Sequence, residues 1–289
     1  PKLKDPTIAR FSLDQYFDSC GACHARRSEL TGAFTAGDKF FDHYALTIPD
    51  ESTTYYPDGQ VRDENFEYAA FLGSRMHGEN VRCMNCHEPH SAKLRATGNA
   101  LCMQCHNGKH DPAAHSHHKP DTPGGNCVDC HMPQTTYMAR HARRDHGMSI
   151  PDPALTKEFG VPNACNGCHK DKSTDWAQAA VDEWHGKKVR HTRLRSRAVA
   201  AARAGREAAR PQLLKLLSDE KSPYWKAVEL GMLGRLQPNG EVLNTLLKHS
   251  GDESPLVRGV VARGLNAYLD QGSARGALQK LLIDPLRDV

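Results

Sequence analysis

Cysteine spacing is the feature that most limits what this chain can fold into. All ten cysteines of the 289-residue sequence fall into five copies of the motif Cys-x-x-Cys-His. The copies span 20–24, 83–87, 102–106, 127–131 and 165–169. Two thiols spaced for the two vinyl groups of a haem, followed by a histidine for the iron, are the attachment signature of c-type haem. The sequence therefore predicts five covalently bound haem c groups.

The motif assigns a role to each of its cysteines and histidines. The predicted thioether cysteines are Cys20, Cys23, Cys83, Cys86, Cys102, Cys105, Cys127, Cys130, Cys165 and Cys168. The predicted proximal ligands, one for each haem iron, are His24, His87, His106, His131 and His169.

Other uses of paired cysteines fit this pattern less well. Two Cys-x-x-Cys pairs can hold one zinc ion, but five pairs would leave one over and would need no histidine after each second cysteine. Redox Cys-x-x-Cys motifs usually occur singly, on a strand–helix pattern that the sequence does not have. Disulfides between cysteines so close in sequence would constrain almost nothing.

Composition divides the chain near residue 172. Hydrophobic residues make up 38% of the sequence, the mean hydropathy is −0.64, and much of the apolar content lies in the last third. We therefore expect a mainly α protein in two parts. A loop-rich multihaem cytochrome domain at 1–172 has the haems as its core, and an α-helical HEAT-like repeat domain follows at 173–289. The formal charge of +4 omits the propionates of five haems, about ten negative charges.

Apolar spacing predicts the helices. In the first part, an aromatic run favours a helix over 64–76. In the second, helices are predicted over 175–185 (capped by Ser173 or Thr174), 192–204, 208–218, 223–235, 239–249, 255–269 and 273–283. Pro223, Lys226, Val228 and Leu233 recur 32 residues later as Pro255, Arg258, Val260 and Leu265, which is typical of a HEAT-like solenoid. An irregular helical domain is the alternative.

The chain ends suggest that the natural protein is longer. Asp284-Pro285 resembles the start of another repeat, and the chain opens at Pro1 without an initiator Met. Covalent haem attachment takes place outside the cytoplasmic membrane, so we expect a targeting segment that has been removed. No apolar run approaches the length that crosses a bilayer. The expected location is periplasmic or extracellular.

The sixth iron ligand decides what each haem can do. A second histidine favours electron transfer, whereas an open position permits substrate binding. Residues 1–170 contain nine further histidines, which favours mostly bis-histidine ligation. The candidate distal ligands are His43, His77, His90, His115, His118 and His146.

Local context refines some of these candidates. His90 lies three residues after a proximal histidine and is expected to serve a neighbouring haem. His115 and His118 point in different directions and can reach two irons. Asp145 is predicted to orient the ring of His146. A surface or propionate-bonding role is the alternative for each candidate histidine.

Several segments resemble known families. The two motifs joined by Pro89-His90 look like the doubled Cys-x-x-Cys-His modules of multihaem cytochromes. The segment from Cys127 through Met132-Pro133 and Asp145-His146 to His169 is similar to the end of pentahaem cytochrome c nitrite reductase and its relatives, among them cytochrome c554. The overall resemblance is to multihaem cytochromes with C-terminal HEAT or tetratricopeptide repeats. It implies closely stacked haems that form a conduit.

We therefore expect electron transfer with other redox proteins or cytochromes, and not an enzyme. The nitrite reductases mark their active haem with Cys-x-x-Cys-Lys, and all five motifs of this chain end in His. Two alternatives stay open. One is a multihaem oxidoreductase acting on a small nitrogen or sulfur compound at one open haem. The other is a subunit of an extracellular cytochrome filament, with self-assembly into an oligomer.

Basic residues are concentrated between 187 and 215. They are Lys187, Lys188, Arg190, Arg193, Arg195, Arg197, Arg203, Arg206, Arg210 and Lys215, against the single acid Glu207. Such a run is either a solvated helical face or a docking surface for an acidic partner. No aromatic residue interleaves with it, so no nucleic-acid partner is expected.

Overall fold

The structure is a computed structural model that describes residues 11–50, 53–89, 91, 93–107, 111–137, 139–187 and 190–289. Short helices separated by loops make up its first half. The helices of this half are α1 (Leu13–His24), α2 (Phe40–His43), α3 (Tyr68–Leu72), α4 (Arg75–Gly78), α5 (Cys83–Cys86), α6 (Asn99–His106), α7 (Pro112–Ser116), α8 (Cys127–His131), α9 (Pro153–Phe159) and α10 (Ala164–Cys168). The expected mainly α, loop-rich architecture is confirmed.

Three antiparallel pairs of short strands supplement these helices. The strands are β1 (Arg27–Glu29), β2 (Tyr44–Leu46), β3 (His87–Glu88), β4 (Lys93–Leu94), β5 (Gln134–Tyr137) and β6 (His141–Arg144). In the register, Ser28 lies opposite Ala45, His87 opposite Leu94, and Thr135 opposite Arg143. Each pair brings the two ends of one loop together.

The predicted helix over 64–76 is wrong as a single element. Phe66 has φ 59°, so the right-handed helix cannot begin before it. The chain then forms α3, breaks at Gly73, and starts α4 with the Ser74 hydroxyl accepting from the backbone N–H of His77. A side-chain cap inside the apolar run therefore divides it in two.

Longer helices make up the second half. They are α11 (Thr174–His185), α12 (His191–Arg203), α13 (Arg210–Asp219), α14 (Pro223–Arg235), α15 (Gly240–His249), α16 (Pro255–Leu265) and α17 (Gly272–Leu281), with short 3₁₀ turns at Glu207–Ala209 and Asn266–Tyr268. The seven predicted helices are confirmed, except that the one over 255–269 ends as the second 3₁₀ turn. Ser173 caps α11, as predicted, by accepting from Trp176 N–H.

An ion pair recurs along the second half with the period seen in the sequence. Arg195 pairs with Glu220 at 3.1 Å, Lys226 with Asp252 at 3.7 Å, and Arg258 with Asp284 at 2.7 Å. Each acid lies 32 residues after the one before it.

The same three acids also fix the backbone that follows them. Each accepts a hydrogen bond from the N–H two residues later, at Ser222, Ser254 and Leu286. Three structural units therefore repeat where the sequence showed two. The HEAT-like assignment stays a prediction.

One continuous hydrophobic cluster, the shared core, joins the two halves. From the first half it takes Phe17, Phe40, Tyr44, Ile48, Tyr55, Tyr68 and Phe71, and from the second Leu213, Tyr224, Trp225, Leu230, Leu246 and Leu265, among others. Trp225 sits at the junction, because its indole N–H donates to the carbonyl of Gly73 at 2.8 Å. A Cβ on Gly59 would lie 2.6 Å from the same ring, so the turn at Gly59 needs glycine.

Polar contacts reinforce this junction. Arg203 of α12 donates to the carbonyls of Tyr55 (3.0 Å) and Pro49 (2.8 Å). Near the other end of the repeats, Asp288 N–H donates to Phe41 O at 3.1 Å. The long segment between the first two motifs therefore packs against the repeats. The predicted boundary at 172/173 stays a prediction.

No helix in the described ranges is both long and apolar enough to span a membrane.

Candidate functional site

Each cysteine pair lies on one short helix. The pairs are carried by α1, α5, α6, α8 and α10, and the motif histidine ends the helix or follows it directly. Residues three apart on a helix share a face, so both sulfurs of a motif project to the same side. None of the ten cysteines forms a disulfide. We number the resulting sites 1 to 5 in chain order.

Cysteines of successive motifs lie next to each other. Cys20 of site 1 and Cys83 of site 2 hydrogen-bond to each other, and this contact lowers the pKa of the Cys20 thiol to about 6. Cys102 of site 3 hydrogen-bonds with Cys127 of site 4.

At the remaining junctions the cysteines interact electrostatically, without a hydrogen bond between them among the described residues. The thiols of Cys86 and Cys105 interact electrostatically, which links sites 2 and 3. Cys130 interacts likewise with Cys165, which links sites 4 and 5. The five motifs therefore follow one another in space in the order of the sequence.

Three of the predicted proximal histidines each lie close to a second histidine ring. The ring centroids of His87 and His146 are 6.3 Å apart, those of His131 and His115 6.0 Å, and those of His169 and His118 6.2 Å. The structure thus brings together candidates His146, His115 and His118 with sites 2, 4 and 5. His115 and His118 reach different sites.

These separations fit a metal ion between the rings. A metal–imidazole bond is about 2.0–2.1 Å, and the centroid lies roughly 1.1 Å behind the nitrogen, so two rings on one iron have centroids about 6.2 Å apart. A direct N–H···N hydrogen bond would bring the centroids to about 5 Å. The residues present therefore fit a haem iron at these three sites.

In each pair, one ring has its Nδ1 bonded to a backbone carbonyl. The Nδ1 atom of His146 lies 2.9 Å from Arg144 O, that of His131 2.8 Å from Ser149 O, and that of His118 2.6 Å from Ser116 O. An Nδ1–H that donates to a carbonyl leaves the Nε2 lone pair for a metal. Asp145 accepts from the N–H groups of Val61 and Gly147 and interacts electrostatically with His146. Its role in orienting the His146 ring stays a prediction.

The other candidates are placed differently. His43 is buried, with Nδ1 bonded to the Thr31 hydroxyl (2.6 Å) and Nε2 3.4 Å from Asp38. His77 packs on Phe17 with centroids 4.9 Å apart, and burial lowers its pKa to about 4. Neither ring contacts a proximal histidine within the described part of the chain. His90 lies outside the described residues.

Sites 1 and 3 differ from the other three. His106 of site 3 has no histidine ring in contact among the residues that the structure describes. His24 of site 1 likewise has none there, but its Nδ1 is 3.1 Å from Glu67 Oε2. The Glu67 contact raises the pKa of His24.

Helix α11 lines sites 4 and 5, which the sequence did not predict. Trp176 lies 5.0 Å from His169, and Trp184 packs on His117 at 4.2 Å and edge-on to His118. His185 lies 5.0 Å from His115. The sequence assigned these residues to the repeat half because the helix follows the last motif, and nothing local indicated their contacts.

Arg143 has a free donor close to sites 1 and 2. Its side chain pairs with Glu64 at 2.8 Å and lies 4.8 Å over the Phe66 ring. Its buried Nη1 has no hydrogen-bond partner within the described residues. A propionate is the kind of acceptor that such a donor needs, so this arginine also fits bound haem.

Most of the basic residues between 187 and 215 form ion pairs or hydrogen bonds with other residues of the same chain. Arg193 binds Asp152 through two nitrogens, and Arg197 binds Glu158 in the same way. Arg195 pairs with Glu220 and lies 3.5 Å over the Trp225 ring. The predicted docking surface therefore loses much of its charge to internal pairs. Lys188 lies outside the described residues.

Within the described ranges, no group of three or more histidine, cysteine, aspartate or glutamate side chains converges in the way that a protein-only metal site requires.

Comparisons with known proteins agree with the motifs. The family described as cytochrome c552 matches residues 115–215, and the family described as doubled CXXCH motif matches 77–111. No curated protein matches the chain. Among solved structures, the crystal structure of the outer cell wall cytochrome OcwA is similar with 17% identity and a TM-score of 0.45, over 94% of this chain and 65% of that one.

Proposed function

Because the chain is a multihaem c-type cytochrome, we propose that it transfers electrons along five covalently bound haems, most of them held between two histidines. Haem c supplies a reversible one-electron couple when bound. The chain's own part is to fix the sulfurs in order, supply a ligand on each side of the iron, and set the polarity around each ring.

The pairing of proximal and second histidines carries this proposal. At sites 2, 4 and 5 the two rings are separated by the distance that one iron would span. A site closed on both sides has no position for a substrate, which favours outer-sphere electron transfer. The order of the cysteines supports an unbroken series from site 1 to site 5.

Further proposals concern location, organisation and partners. We infer export to the periplasm or beyond, since covalent haem attachment takes place outside the cytoplasmic membrane. Other redox proteins are the proposed partners. The recurring ion pairs support a HEAT-like tail after a haem domain at 1–172. Assembly into a filament ranks below a simple relay, because this chain supplies second histidines from its own sequence.

Haem content and spin state test the proposal. The purified holoprotein should bind five haems per chain, and its optical and EPR spectra should show low-spin iron. In His146→Ala, one of the five sites should become high-spin because site 2 loses its second ligand, while the others stay low-spin. His141→Ala is the matched control, since His141 is exposed and begins β6, five residues before His146.

Other results would redirect the conclusion. A high-spin component in the wild type would favour the oxidoreductase with one open haem. A haem ratio other than five would overturn the site count. Filaments in negative-stain images of the wild type would favour the filament subunit.

A further inference from the structure

The ligand histidines differ in what holds their Nδ1 atoms. At His146, His131 and His118 the acceptor is a neutral backbone carbonyl. At His24 it is the carboxylate of Glu67, 3.1 Å away. A carboxylate that accepts from Nδ1–H makes the imidazole a stronger electron donor than a carbonyl does. Site 1 is therefore electronically distinct from the others whose Nδ1 partners are described.

The backbone around Phe66 and α3 positions the Glu67 side chain next to His24. Glu67 precedes α3, directly after Phe66, whose positive φ sets the direction of the chain. Its side chain is three-quarters buried, at 25% exposure, so water screens its charge incompletely. Arg143 also acts on Glu67, but its guanidinium forms an ion pair with Glu64 at 2.8 Å and none with Glu67 within the described residues. The negative charge of Glu67 is therefore directed at the proximal ligand of site 1.

We propose that Glu67 is a positioning residue that makes site 1 the most reducing end of the haem series, so that electrons enter there and leave toward site 5. This rests on the proposed function, because it assumes a series of haems. A more basic proximal ligand and a nearby negative charge both favour ferric over ferrous iron. Since the motifs follow one another in chain order, the low potential lies at one end of the series.

An equilibrium redox titration of the full-length holoprotein tests this proposal. In the wild type, site 1 should be the last to be reduced. Glu67→Gln keeps the shape and removes the charge, so reduction of that site should become about tenfold more favourable, or about 59 mV for a one-electron couple. The affected transition is assigned to site 1 by its displacement in His24→Met, because a methionine ligand raises the potential.

Two matched variants separate this effect from loss of any nearby charge. Asp63→Asn removes a carboxylate from the same segment that pairs with Arg26 at 2.7 Å and does not contact His24. It should leave all five potentials unchanged. Glu67→Asp keeps the carboxylate on a shorter side chain, so the potential of site 1 should stay closer to the wild-type value than in Glu67→Gln.

The outcomes are distinguishable from failure of the relay itself. Haem content and low-spin spectra of the wild type test the relay, whereas the potential of one site tests Glu67. The proposal is overturned if site 1 is not the lowest in the wild type, if Glu67→Gln moves no potential, or if Asp63→Asn moves the same one. If Glu67→Gln does not bind haem, Glu67→Asp provides the test. The potential of site 1 in that variant must then rise by less than the roughly 59 mV expected for complete loss of the charge.

Discussion

At Glu229 the fold buries a carboxyl group with no hydrogen-bond partner for either oxygen within the described residues. Burial raises its pKa to about 8; nearby Glu220 adds to the rise and Arg195 reduces it. The group is therefore neutral in the folded protein at neutral pH, whereas in the unfolded chain it ionises near its ordinary pKa of 4.5. Between pH 4.5 and about pH 8, the folded protein therefore keeps a proton on Glu229 that the unfolded chain has released.

The raised pKa of Glu229 predicts that the free energy of unfolding depends on pH. Because the folded pKa is raised, the penalty is absent below about pH 4.5 and grows as the pH rises toward about 8, where it reaches on the order of 4–5 kcal/mol. Glu229→Gln cannot ionise, so its advantage over the wild type in unfolding free energy should grow across that window. Guanidinium unfolding at pH 5 and pH 8 measures it. Glu241→Gln, at an exposed position on α15, should show no such trend.

Residue-level chemistry was predictable only where it is local in sequence. The cysteines and proximal histidines follow from five-residue motifs. The pairing of His87 with His146 depends on a tertiary contact, and the sequence offered more histidines than irons. Glu67 carried no signal, because a glutamate before an aromatic run is ordinary. Its role depends on where the loop after β2 places it relative to His24.

At the scale of elements, the repeat is held by side chains that join consecutive units. Arg258 of α16 binds both oxygens of Asp284 and also donates to the carbonyls of Asp252 and Glu253. The pair is largely buried, with 14% and 8% of the side chains exposed. Arg258→Ala would leave Asp284 without its cation and two carbonyls without their donor.

We expect Arg258→Ala to lower the free energy of unfolding by about 2–4 kcal/mol and to leave the haem spectra unchanged. Chemical unfolding followed by far-ultraviolet circular dichroism measures the loss. Arg275→Ala is the control: within the described residues, its exposed guanidinium bonds to two carbonyls alone, those of Leu269 and Asp270, so it should cost roughly 0.5 kcal/mol. Equal losses in the two variants would show that the recurring ion pair does not stabilise the repeat.

Helices of the second half were predictable because their signals are local and agree with each other. Apolar spacing, Ser-Pro starts and good helix formers all favour the same boundaries in 173–289. Around 64–76 the apolar spacing favoured one helix, but the positive φ of Phe66 and the Ser74 cap divide it. Gly73, where the run breaks, packs closely on Tyr224 and accepts from the indole of Trp225, and these contacts are visible only in three dimensions.

For the whole molecule, the shared core couples the haem-bearing half to the repeats. Aromatic residues from the segment between the first two motifs pack in one cluster with α12, α14 and α16. Composition alone suggested that the first half has no protein core and depends on haem. The structure shows that its motif-free segment packs on the repeats, so stabilising either half stabilises the other.

The last prediction is a single cooperative unfolding transition. Thermal melts of the holoprotein, followed by the Soret band for the haem half and by circular dichroism for the repeats, should coincide. Trp225→Ala removes a buried ring and its bond to Gly73 O, which should cost about 3–5 kcal/mol of unfolding free energy. Both transitions should therefore move to lower temperature together. Trp225→Phe keeps most of the ring volume and should shift both probes less. Two separate transitions in the wild type, or a Trp225→Ala shift confined to circular dichroism, would mean that the halves fold independently despite their common cluster.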